Sequence, residues 1–209
     1  MVQTIAIEKV TLYELEQTFG LQQTQENSFF HEWQEQLPAL TPEEQQRLER
    51  VRAAYQNLER RSVLENTVKL AVVAPLLDLA GFFLPPFYVE TEKEVQIAVE
   101  DENIQLRGKI DVLVLKEQFW VLVIETKRAE LSLKVGIPQA LAYMFKGSPN
   151  RPSYGLVTNG SSFMFLKLVQ QSQPLYARSK EFLLNQDQGL EKTLQIMKRL
   201  ATLLSEETL

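Results

Sequence analysis

Gly108-Lys109-Ile110-Asp111-Val112-Leu113-Val114-Leu115, the link Lys116-Glu117-Gln118, and Phe119-Trp120-Val121-Leu122-Val123-Ile124-Glu125-Thr126-Lys127 decide how this chain is read. Both runs are apolar on both faces, which predicts central strands covered from two sides. The short link makes them antiparallel neighbours. Asp111 interrupts the first run. A carboxylate there is costly unless it has a partner, a metal or a strand-end position. Glu125 and Lys127 close the second run two residues apart, so they share one face of the sheet. Antiparallel pairing brings Asp111 beside Glu125, and two carboxylates and an ammonium group then converge.

Oxygens from Asp111 and Glu125, with a backbone carbonyl such as that of Thr126, suit a hard cation such as Mg2+. That cation polarises a phosphate and acidifies a water, and Lys127 orients the water or offsets charge on phosphorus. Glu-x-Lys occurs once in the chain and Asp-x-Lys never. Of the four aspartates, Asp111 alone sits in a strand-like run. An alternative reading is a structural ion pair between Asp111 and Lys127 with Glu125 solvated.

Working outward, Tyr88 to Val99 alternates as a strand, followed by a polar turn at 100–103 and a strand from Ile104. Thr41-Pro42-Glu43-Glu44 starts a helix with a capping threonine, a first-turn proline and acids at the positive end. A second helix runs from about Ser62 through Val63, Val68 and Val72, and Pro75 predicts a kink or restart. A helix over 136–146 carries Gln139 and Tyr143 one turn apart. Asn159-Gly160 predicts a two-residue hairpin turn between Tyr154–Thr158 and Ser162–Leu168. An amphipathic helix from Gly189 to Leu204 follows. This order of elements predicts an α/β layered fold with a mixed sheet. Residues 1–61 are expected to be an acidic helical extension packed on a core spanning 62–209.

The chain has 209 residues and no cysteine, so disulfides, thiolate zinc sites and a cysteine nucleophile are excluded. His31 is the one histidine, which rules out a histidine-rich metal centre. Net charge is -5, but residues 1–45 carry -7 while residues 105–151 carry +4. The basic segment holds the suspected site, as a polyanionic substrate requires. The longest apolar stretch, Leu70 to Leu77, is far short of the roughly 20 residues of a membrane span. With no signal-peptide pattern at Met1-Val2-Gln3-Thr4, the expected setting is cytoplasmic, without membrane insertion.

Together these motifs resemble the PD-(D/E)XK nuclease superfamily. Pro75-Leu76-Leu77 with Ala80-Gly81-Phe82, and Gly155-Leu156-Val157-Thr158-Asn159-Gly160, resemble elements of the N-terminal nuclease domain of type I restriction enzyme R subunits. Pro138-Gln139 with Tyr143 resembles the Gln-xxx-Tyr motif of the RecB-like branch. The resemblance covers roughly residues 62–170. It implies a restriction-endonuclease-like three-layer fold, a mixed central sheet flanked by helices, and an endonuclease that hydrolyses DNA with Mg2+, for which Mn2+ can substitute. Asp111, Glu125 and Lys127 would be catalytic, with Glu65 as a helix-borne acid. Asp111, Glu125 and Thr126 would hold the metal. Gln139, Tyr143, Arg128 and Lys109 would meet the substrate. Ile110 stands where many relatives have proline. No Gly-x-x-x-x-Gly-Lys-Ser/Thr loop occurs, so the nuclease domain would be freestanding, without a motor. The alternative function is a catalytically silent nuclease-like fold that binds nucleic acid or protein. The acidic extension could meet a partner protein. The helices at 42–61 and 190–204 could pair two copies into a homodimer, although packing on the sheet is the preferred reading of both.

Overall fold

A computed structural model describes residues 3–99, 104–147, 149 and 151–206; the expected turn at 100–103 lies outside them. The long strands fall where the apolar runs put them. In chain order the strands are β1 (Gln3–Ala6), β2 (Gln22–Gln23), β3 (Phe87–Val99), β4 (Ile104–Lys116), β5 (Phe119–Thr126), β6 (Ser153–Thr158), β7 (Ser162–Val169), β8 (Leu175–Arg178) and β9 (Phe182–Leu183). They form one mixed sheet ordered β1-β4-β5-β6-β7-β8-β2, with β3 on β4 and β9 on β7. β4 and β5 are antiparallel, and β5 and β6 are parallel.

Helices cover both faces, giving three layers. One face carries α2 (Pro42–Leu58), the helical segment spanning α3 (Glu65–Val68) to α4 (Ala74–Leu79), and α6 (Gly189–Glu206). Their side chains Leu48, Tyr55, Val72, Leu76, Leu194 and Met197 bury against Val112, Val114, Leu122 and Ile124. The other face carries α1 (Leu12–Phe19) and α5 (Ile137–Met144), where Leu15, Leu141 and Met144 meet Leu113, Leu115 and Val123. α1 and α2 both begin with a capping box, Thr11 with Glu14 and Thr41 with Glu44.

One local feature answers a sequence expectation and two depart from it. The helix is interrupted just before Pro75, and α4 begins at Ala74 with that proline in its first turn. The interruption is a π turn at Lys69–Val73, in which the Ala74 N–H donates to the Lys69 carbonyl, one residue short of the proline that has no N–H to donate. The Asn159-Gly160 hairpin turn is three residues long, because Asn159 turns inward. Its side-chain Oδ1 accepts from the Ser161 and Ser162 backbone N–H groups, and its side-chain Nδ2 donates to the carbonyls of Ala129 and Leu131. The segment 1–61 is not only helical: β1 and β2 add strands to the sheet.

The layout of β4 places the site. β3 pairs along one edge of β4 for almost its whole length. On the other edge, β1 runs parallel to residues 104–107 and β5 antiparallel to residues 112–116. Both strands end as they approach 108–111, leaving a notch in the sheet. Carboxyl ends of strands at such a break are where α/β folds place their ligands.

Candidate active site

The notch exposes backbone groups of β4 that no strand pairs, and side chains take them. The Tyr143 hydroxyl accepts from the Lys109 N–H and donates to the Lys109 carbonyl, both at 2.9 Å. Gly108 makes this approach possible, because a Cβ there would lie 2.5 Å from the Tyr143 oxygen. Asp111 Oδ2 accepts from the Thr126 N–H at 2.8 Å and the Thr126 hydroxyl at 2.7 Å. The end of β5 thus fixes Asp111 across the notch.

Glu125 and Lys127 lie together on the α5 side. Lys127 Nζ donates to Glu125 Oε1 and to Gln139 Oε1, each at 2.7 Å. Gln139 Nε2 in turn donates to the Tyr143 hydroxyl at 3.4 Å. Gly136 leaves room for this cluster, since a Cβ would fall 3.1 Å from Lys127 Cε and 2.7 Å from Val157. Asn159 holds the chain that leaves Lys127 through its bonds to residues 129 and 131.

Glu125 is 2% exposed, and its Oε2 has no hydrogen-bond partner. Burial pushes its carboxyl up to about 8. The negative charge of Asp111 adds to this, Lys127 opposes it, and Glu65 adds a smaller push. Burial likewise lifts the Tyr143 phenol to about 12. At Glu125, burial and the Asp111 charge together outweigh the pull of Lys127.

The alternative pairing of Asp111 with Lys127 is not what forms. Lys127 takes Glu125, which is buried rather than solvated, and Asp111 Oδ1 accepts from Lys69 Nζ at 3.1 Å. Lys69 also pairs with Glu92, which Lys109 Nζ meets at 2.7 Å. Both Lys69 and Glu92 escaped the sequence reading. The available signal was Lys69 as the lone charge between Val68 and Leu77, one turn beyond Glu65. Glu65 sits half-buried at the start of α3 and acts on Glu125 through its charge. Arg128 is exposed beside the cluster.

Among the described residues no group of three or more acidic or imidazole side chains forms a ready-made metal cage. Asp111 and Glu125 are the two carboxylates that could hold a hard cation such as Mg2+, which commonly takes one or two carboxylates with water and substrate oxygens, and of their oxygens Glu125 Oε2 is the one without a hydrogen-bond partner. Among the described residues, no helix is long and apolar enough to cross a membrane.

No family model matches the chain, and no curated protein matches it. One similar solved structure is a fragment assigned to the HsdR subunit of a type I restriction enzyme from Vibrio vulnificus. It is 18% identical with a TM-score of 0.41, and the match covers 65% of this chain and 25% of that one. The chain thus matches only a quarter of that chain's length.

Proposed function

We propose that this chain is a metal-dependent endonuclease that hydrolyses DNA phosphodiester bonds. One observation carries the reading: two carboxylates and a buried lysine meet at a notch in the sheet, and Glu125 Oε2 is buried there without a hydrogen-bond partner. Asp111 and Glu125, with the Thr126 carbonyl, would hold Mg2+ or Mn2+, which when bound supplies Lewis acidity to a phosphate and makes a nearby water more acidic. Thr126 keeps the Asp111 carboxylate in one orientation. Lys127 exchanges Glu125 for a non-bridging phosphate oxygen and offsets the charge that grows there as water attacks in line. Gln139 keeps hold of the Lys127 ammonium during that exchange, and Tyr143 anchors Gln139 to β4. The basic balance of residues 105–151 favours a polyanion as substrate.

The test is incubation of single- and double-stranded DNA with the protein and MgCl2 or MnCl2, comparing wild type with Asp111→Ala and Lys127→Ala. Cleavage that needs the metal and is lost in both variants is the expected result. No cleavage of any DNA form overturns the reading. A second reading is favoured by Lys69, which already neutralises Asp111 from within the protein: a catalytically silent fold that binds nucleic acid. DNA retardation by wild type without cleavage under any metal would select it.

A further inference from the structure

Glu92 has a backbone φ of 55°, the left-handed region that a glutamate rarely adopts within a strand. β3 and β4 pair at Thr91 with Val112 and at Lys93 with Ile110, and the ladder skips Glu92 opposite Asp111. The irregularity sets the Glu92 carboxylate between two ammonium groups. Oε1 accepts from Lys69, and Oε2 faces Lys109 Nζ at 2.7 Å. The Glu92 side chain is 46% exposed, so an incoming ligand can reach this arrangement. Non-glycine residues in such a conformation gather at ligand-binding and switch positions.

We propose that Lys69 and Lys109 form a phosphate-binding subsite beside the reacting centre, and that Glu92 occupies it in the free protein as an internal stand-in for a DNA phosphate. The inference rests on the phosphodiesterase reading and deepens it. The two non-bridging oxygens of a phosphodiester present nearly the same paired acceptors as a carboxylate, so a phosphate can replace Glu92 between the same two lysines. The displaced Glu92 side chain is already half in water and hydrates readily. Lys69 bridges Glu92 and Asp111. A phosphate that draws Lys69 toward itself loosens the Lys69 hold on Asp111 as substrate arrives. The subsite thereby links DNA engagement to release of an acid assigned to the metal.

The test is anisotropy of a labelled short DNA duplex in EDTA, where no cleavage intrudes, over a series of salt concentrations. Glu92→Gln removes the internal competitor and is expected to tighten binding several-fold. Lys109→Ala should weaken binding and reduce the slope of log affinity against log salt by about 0.9, the value of one lost phosphate contact. Glu92→Gln combined with Lys109→Ala should lose the gain. Melting temperatures of all variants are followed in parallel. If the substitutions lower melting temperature and leave duplex affinity unchanged, the cluster is a structural staple and the subsite is overturned while the nuclease reading stands. If wild type fails to bind the duplex at low salt, the subsite is overturned, and the nuclease reading is then decided separately by the metal-dependent cleavage assay.

Discussion

Two buried glutamate–lysine pairs lie on opposite faces of the sheet and behave differently. Glu32 and Lys167 are 5% and 8% exposed; Glu125 and Lys127 are 2% and 8% exposed. Each glutamate has one oxygen bonded to its lysine and one without a hydrogen-bond partner. Burial raises both carboxyls. At Glu32 the hydrogen bonds and charge of Lys167, with help from Tyr154, outweigh burial, and its pKa falls below the usual carboxylate value. At Glu125 the nearby Asp111 charge sides with burial, Lys127 cannot outweigh both, and the carboxyl stays at about 8. Burial and pairing alone therefore do not set the protonation of such a glutamate, whereas a second acid beside the pair does. Lys167 also lies 5.5 Å over the Phe29 ring, so that pair fastens residues 29–32 to β6 and β7.

The comparison breaks most visibly when each lysine is removed. Lys127→Met should cost a factor of about 100 to 1,000 in cleavage rate, the usual effect of losing one donor to transition-state charge. It should cost little stability near pH 7, because Glu125 is then largely protonated and leaves no bare buried charge. Lys167→Met should do the reverse. It strands the ionised Glu32 and should cost about 3–5 kcal/mol in urea unfolding, with the cleavage rate per folded molecule unchanged. Equal stability losses in the two variants would erase the distinction.

The two glutamates should also give stability opposite pH dependences. Between pH 4.5 and about 8 folded Glu125 binds a proton that the unfolded chain does not, so its contribution grows as pH falls through that window. Glu32, with its lowered folded value, contributes stability above its unfolded value that disappears on acidification below 4.5. Glu125→Gln should flatten the upper limb of a melting-temperature profile and leave the lower limb intact. Added MgCl2 should raise the melting temperature at pH 8 in wild type more than in Glu125→Gln, as expected of a ligand bound only by the folded state. A wild-type upper limb that is already flat contradicts the assignment. A smaller effect is expected from Tyr143→Phe. It leaves the Lys109 N–H and carbonyl without their partner in the notch, and should cost roughly 1–3 kcal/mol with a modest loss of rate.

The core of this site was legible because it violates an otherwise simple pattern. Asp111 and Glu125 stand out as acids in or closing apolar runs, and strand period 2 fixes Glu125 and Lys127 on one face. Gln139 and Tyr143 were legible by their helical spacing. Lys69 was not, because its meaning depends on a π turn that no residue pattern announces and on a partner 42 residues away. Glu92 looked like one charge in an alternating strand, and only its irregular backbone sets it between two lysines. Asn159 was read as a turn residue by its neighbour Gly160, whereas its side chain serves a loop about 30 residues earlier. β1 is four residues long, too short for periodicity to distinguish, yet its end helps to define the notch.

The most direct measurement is the anomalous difference map of a crystal soaked in MnCl2. The expected result is a single strong peak contacted by carboxylate oxygens of both Asp111 and Glu125, with Lys69 withdrawn from Asp111. Absence of a peak between those carboxylates at millimolar Mn2+, with Lys69 and Lys127 still seated on them, would contradict the metal-dependent account at its root.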